Sequence, residues 1–140
     1  MHPAATVIAL KSELSPVSGE ARPLCVLIVE DNAADAMVAQ AAVSRAAQRS
    51  AVMRATNLAQ GLALLASESV HLVLLDLNLP DSRGLATLRR MREATRSPII
   101  VVTAEERPGL DDEALEEGAF EILHKGRLGV DAIARLLRLA

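Results

Sequence analysis

Three short apolar runs constrain this chain more than anything else in it. LCVLIV breaks off on Glu30 and Asp31, LVLL on Asp76, and IIVV on Thr103. Near-continuous apolar runs of this length mark strands covered on both faces, which is the pattern of a parallel sheet between helices. The stretches between them are helical. Ala33 to Gln48 is Ala-rich, with Asp31 or Asn32 available as its N-cap. Residues 58–67 put Leu62 and Leu65 on one side, and residues 84–94 carry the stripe Leu85, Leu88 and Met91. AVMRAT is a weaker second strand, AFEILHK a fifth, and a helix near 109–117 stops at Gly118. Residues 131–140 close the pattern, with Ile133, Leu136 and Leu137 facing inward. Strand and helix therefore alternate five times, which predicts a parallel α/β sandwich.

Residues 1–23, with Pro3, Pro16, Gly19 and Pro23 among Ser, Glu and Ala, read as a flexible tail; one domain is expected over 24–140. About half of the 140 residues are hydrophobic and the only aromatic is Phe120, so the core must be aliphatic. Met37, Met53 and Met91 read as core fillers. A net charge of −3 gives no reason to expect DNA binding. No apolar run approaches the roughly 18 residues of a membrane helix, and TVIAL is too short for a secretion signal. The lone Cys25, a small residue on a strand, suits the reducing cytoplasm.

In open parallel sheets, ligands bind at the carboxyl ends of the strands. Those ends here carry Glu30, Asp31, Asp76, Thr103 and Lys125. Two carboxylates about 4 Å apart repel by about 4 kcal/mol at an effective dielectric constant near 20. Converging acids therefore raise one another's pKa unless cations sit among them. Lys125 supplies one positive charge, and the remainder suits a hard divalent ion such as Mg²⁺. A carboxylate in that setting can act as a nucleophile toward phosphorus.

The motifs LIVEDN, VLLDLNLPDSRG, IIVVTAEE and EEGAFEILHKG, at these spacings, resemble the receiver domain of two-component response regulators over residues 24–140. That resemblance implies a (βα)5 flavodoxin-like fold, a doubly wound five-stranded sheet of order 2-1-3-4-5. It implies Asp76 as phosphoacceptor, with Thr103 and Lys125 contacting the phosphoryl group. Mg²⁺ would be held by Glu30, Asp31, Asp76 and the carbonyl of Asn78. Pro80 and Gly84 match the family's loop, and Asn78 and Glu105 fall where the family tunes dephosphorylation. The implied donor is a sensor histidine kinase or a histidine phosphotransfer protein. The implied output is a protein target on the fourth helix, fifth strand and fifth helix. Two positions depart from the pattern. Ile122 stands where the family usually carries Tyr or Phe, and Gly126 where it usually carries Pro. Phe120, two residues earlier, is expected on the same sheet face as Ile122.

Other readings stay open. A binding module that no longer uses phosphorylation, for a protein or a nucleotide second messenger, fits Ile122 and Gly126. A phosphohydrolase of the haloacid dehalogenase type also uses an aspartate after a strand, but wants an acid where Asn78 stands. Asp81 and Ser82 are expected to cap the helix over 84–94. Arg89, Arg92 and Arg96 form a basic stripe away from Leu85, Leu88 and Met91, and residues 105–121 are acid-rich; both read either as solvated faces or as docking surfaces.

Overall fold

The computed structural model describes residues 23–127 together with Ile133. The tail and most of the last helix expected from the sequence lie outside those residues. The main sheet is built from β1 (Leu24–Val29), β2 (Ser50–Ala55), β3 (Leu72–Leu75), β4 (Ile99–Thr103) and β5 (Glu121–His124). Its order is β2-β1-β3-β4-β5 and every pairing is parallel. The intervening helices are α1 (Ala33–Ala46), α2 (Leu58–Ser67), α3 (Leu85–Ala94) and α4 (Leu110–Glu116). This is the doubly wound, flavodoxin-like arrangement.

Side-chain alternation along the strands sorts the core into two layers. On one face Leu27, Val29, Val73, Leu75 and Val101 meet Leu58, Leu88, Met91 and Leu110 of α2, α3 and α4. On the other, Val26, Ile28, Leu74 and Val102 meet Ala36, Ala39, Ala42 and Val43 of α1, with Ile133. Alanines on α1 let that helix lie close to the sheet. Aliphatic side chains fill both layers.

Register sets the carboxyl edge. Val29 lies level with Ala55 and Leu75, Leu75 with Val101, and Thr103 with His124. The residues that come after each strand therefore emerge together. After β3 the chain makes a two-residue hairpin, Asn78–Leu79 against Ser82–Arg83. Gly84 closes it at φ 71°, and its N–H donates to Leu77 O at 2.9 Å.

Several local expectations change once the chain is folded. Asn32 caps α1, accepting from Asp35 N at 2.9 Å. Asp81 caps α2 rather than α3, accepting from Leu58 N at 2.8 Å and Ala59 N at 3.0 Å. Ser82 bonds the hydroxyl of Thr87, in the first turn of α3, instead of a helix N–H, so α3 begins at Gly84 without a side-chain cap. Met37 is 71% exposed on α1, whereas Met91 is fully buried. Phe120 precedes β5, outside its strict alternation, and packs against the α1 layer while Ile122 packs in the opposite one. Arg92 leaves the basic stripe: its guanidinium donates inward to the carbonyls of Thr95, Ser97 and Gly118.

Candidate functional site

Glu30 comes directly after the last residue of β1, and its N–H still pairs with Ala55 O at 2.9 Å. Its side chain is buried and turned back, with one oxygen accepting from Asn32 N at 3.2 Å. Asp31 is exposed beside it. Asp76 comes directly after β3, is likewise buried, and is anchored through its own N–H to Val29 O at 3.0 Å. Its Oδ1 accepts from Asn78 N at 3.0 Å, an Asx turn that fixes the carboxylate plane. Carboxylate oxygens of Glu30, Asp31 and Asp76 all lie within 4.8 Å of one another.

Lys125 opens the 3₁₀ turn Lys125–Arg127 directly after β5. Its ammonium lies 2.7 Å from Glu30 Oε1, 2.8 Å from Asp35 Oδ2 and 3.1 Å from Asp76 Oδ2. An ammonium has three N–H donors, and three carboxylates surround this one. Burial alone would pull Lys125 down, but hydrogen bonds to Asp35 and Glu30 and the charge of Asp76 outweigh it and push its pKa up. Glu30 moves the other way for a carboxylate. Burial pushes it up to about 7, helped by Asp76 and opposed by Lys125 and the Asn32 N–H. The three acids repel, and burial disfavours the ionised form of Glu30. Hard oxygen donors at this separation fit a divalent cation, which would relieve that repulsion.

Thr103 ends β4 fully buried, with its hydroxyl oxygen accepting from Glu105 N at 3.1 Å. Its own proton remains available to an acceptor. Glu105 pairs with Arg107 at 3.3 Å. A small cavity of about 50 Å³, lined by Glu30, Asp35, Val38, Ala39, Asp76 and Lys125 among others, has room for water beside the cluster.

The structure thus brings Glu30, Asp31, Asp76 and Lys125 into one group. Two participants are missing from the sequence reading. Asp35 sits one helical turn after Asp31, a spacing that could have exposed it. Arg54, at the end of β2, donates to the carbonyls of Glu30 and Asp31, and nothing in its local sequence announces that.

The doubly wound parallel sheet carries its acids and one lysine at the carboxyl edge, where such sheets bind ligands. The response regulator receiver domain family matches residues 26–136, and the chain belongs to it. It is 34% identical over 115 residues to the KDP operon transcriptional regulatory protein KdpE of Escherichia coli K12, covering 82% of this chain and 50% of that protein. It is 30% identical over 105 residues to a protein-glutamate methylesterase/protein-glutamine glutaminase 2 of Methanospirillum hungatei JF-1, covering 75% of this chain and 29% of that one. The chain spans half or less of the length of these relatives. Among solved structures, the signal receiver domain of an HD domain-containing protein from Pseudomonas fluorescens Pf-5 superposes with a TM-score of 0.73 at 26% identity, covering 85% of this chain and 94% of that one. The BeF3-activated receiver domain of Klebsiella pneumoniae RstA gives 0.71 at 26% identity, covering 81% and 98%. Family membership leaves the haloacid dehalogenase reading without support. Among the described residues, no helix is long and apolar enough to cross a membrane.

Proposed function

We propose that this receiver domain, residues 24–140, accepts a phosphoryl group from a phosphohistidine onto Asp76 in a Mg²⁺-dependent reaction. The observation that carries this reading is Lys125 Nζ 3.1 Å from Asp76 Oδ2, beside acid oxygens gathered within 4.8 Å. An oxygen of Asp76 attacks phosphorus, the P–N bond breaks, and its electron pair returns to the donor imidazole. Asp76 becomes an acyl phosphate. The Asn78 N–H holds the carboxylate in one plane during attack. Lys125 exchanges its contact with Asp76 for a phosphoryl oxygen, and the Thr103 hydroxyl donates to another. Mg²⁺, held by Glu30, Asp31, Asp76 and the Asn78 carbonyl, would supply the remaining positive charge for the phosphoryl oxygens. The donor is a sensor histidine kinase or a histidine phosphotransfer protein in the cytoplasm. The domain promotes its own phosphorylation and dephosphorylation and turns over no other substrate.

The added charge, about −1.5 to −2 at neutral pH, draws Thr103 and Lys125 toward the phosphoryl group. Their movement biases the face of α4, β5 and the segment after Lys125, where a downstream protein docks, as an adaptor or relay link. With Asn78 and Glu105 at the tuning positions, the acyl phosphate is short-lived; an hours-long lifetime in a phosphate-release time course would contradict this.

Phosphotransfer profiling against a set of histidine kinases tests the chemistry and identifies the donor together. The expected result is a Mg²⁺-dependent band shift on a phosphate-affinity gel that disappears in Asp76→Asn. One observation favours a second reading. Ile122 is 8% exposed and packed in the core, so no aromatic is there to change rotamer. If no kinase and no small phosphodonor produces a shift, a phosphorylation-independent binding module becomes the better description.

A further inference from the structure

Arg54 holds the backbone from which two of the proposed cation ligands project. The last rung between β1 and β2 is the Glu30 N–H to Ala55 O. Beyond it the ladder ends, and α1 begins at Ala33 behind its Asn32 cap. Only Glu30, Asp31 and Asn32 join strand to helix, and within that span two carboxylates must turn toward Asp76. The Arg54 guanidinium reaches across from β2. Its Nε lies 3.2 Å and its Nη2 3.1 Å from Glu30 O, and the same Nη2 lies 3.1 Å from Asp31 O. Two successive carbonyls therefore point at one planar donor. That fixes the peptide planes on either side of Asp31, and with them the directions of the Glu30 and Asp31 side chains.

We propose that Arg54 is a positioning residue for the cation site: its guanidinium clamps the Glu30–Asp31 turn so that both carboxylates face Asp76. This rests on the reading of those acids as Mg²⁺ ligands. The guanidinium works through its fork, not its charge. It is directed at carbonyls, the residue is exposed, and a positive charge near the acids would by itself oppose a divalent cation. Lysine keeps the charge but is a single-point donor that cannot reproduce the fork. Geometry therefore predicts weaker Mg²⁺ binding for either a lysine or an uncharged residue there, whereas charge alone predicts no change for the lysine and tighter binding for the uncharged residue.

Arg54→Lys and Arg54→Met separate them. Mg²⁺ binding is measured by calorimetry, phosphorylation by acetyl phosphate is followed as a function of Mg²⁺, and metal-free unfolding is followed by circular dichroism. In both variants the clamp predicts weaker Mg²⁺ binding, on the order of tenfold, as for other groups that orient metal ligands. The Mg²⁺ concentration for half-maximal phosphorylation rises in step, while the rate at saturating Mg²⁺ stays near that of the parent. A merely structural arginine would lower the unfolding midpoint without moving the Mg²⁺ dependence, and that result overturns the proposal. So does Arg54→Lys binding Mg²⁺ like the parent, or Arg54→Met binding it more tightly, while the cation-site reading survives both. If the parent chain binds no Mg²⁺ at all, the cation site itself fails and the clamp falls with it.

Discussion

The two edges of the sheet use the same backbone to opposite ends. At the amino edge, polar groups are paired off locally. The Cys25 N–H donates to His71 Nδ1 at 3.0 Å, the Ser97 hydroxyl bonds Val70 O, and Arg92 gathers the carbonyls where α3 and α4 return to the sheet. At the carboxyl edge, Glu30, Asp35 and Asp76 stand around one lysine, with Asp31 close to Glu30 and Asp76. An arginine braces each edge: Arg92 donates to loop carbonyls at one, and Arg54 to turn carbonyls at the other. The amino edge is electrostatically finished. The carboxyl edge keeps a surplus of negative charge that folding alone does not relieve, and that surplus is what a cation and a phosphoryl group can exploit.

Substitutions should divide along the same line. The largest effect is expected for Lys125→Met. It leaves Glu30 and Asp76 buried without their cation, so phosphorylation by acetyl phosphate falls by orders of magnitude on the gel assay, while far-ultraviolet circular dichroism still reports a folded chain. A folded Lys125→Met variant that phosphorylates normally would erase the distinction between the edges.

Gly118→Ala probes the amino edge. Gly118 has φ 106°, and a Cβ there would sit 2.6 Å from Arg92 Cδ. Backbone strain of this kind costs about 1–3 kcal/mol, and Arg92 must also shift from its carbonyls. Urea unfolding should show that loss, while Mg²⁺ affinity and phosphorylation are retained. A loss of Mg²⁺ binding instead would show that the two edges communicate.

The pH dependence sharpens the comparison further. Glu30 lies at about 7 in the folded chain against an ordinary 4.5. Between those values the folded chain holds a proton that the unfolded chain has released. The contribution of Glu30 to metal-free stability is therefore fully present below about 4.5, and is lost as pH rises through about 7. Urea midpoints in a chelator should track that slope, and Glu30→Gln should flatten it. A slope that survives Glu30→Gln would place the titrating group elsewhere.

Asp81→Ala should have the smallest effect. It removes the two Asp81 hydrogen bonds to the first turn of α2, where Asn57 remains the N-cap, lowers the unfolding midpoint slightly, and leaves Mg²⁺ binding unchanged. The Leu58 and Ala59 N–H groups hold the Asp81 carboxyl below its usual range. Its contribution is therefore present at neutral pH and disappears as pH falls through that lowered value. Parent and variant midpoints should converge in acid.

Much of this is legible in the residues. The apolar runs, their spacing and their polar terminators place five strands and one charged edge, because burial on both sheet faces imposes a local pattern. The group formed by Glu30, Asp31, Asp76 and Lys125 can be read from strand ends alone. Asp35 is inconspicuous because an acid in the first turn of a helix already has an ordinary reason to be there. Alternation puts Phe120 on the wrong face because it holds strictly only within the strand, which begins one residue later. Residue type points Met37 inward, although α1 needs only its alanines and Val43 to cover the sheet.

The sequence by itself determined the layer architecture, the aliphatic core and the acid-and-lysine edge, since each rests on periodicity or on the residue type that terminates a strand. Only the tertiary structure decided that Asp81 caps a helix preceding it in the chain, and that Asp35 takes a share of Lys125. It alone placed Arg54 and Arg92 on backbone carbonyls. The physical reason is the same in each case. A backbone carbonyl, a helix N–H or a distant ammonium meets its partner by position in the fold, so the sequence records the side chain without saying where it will be used.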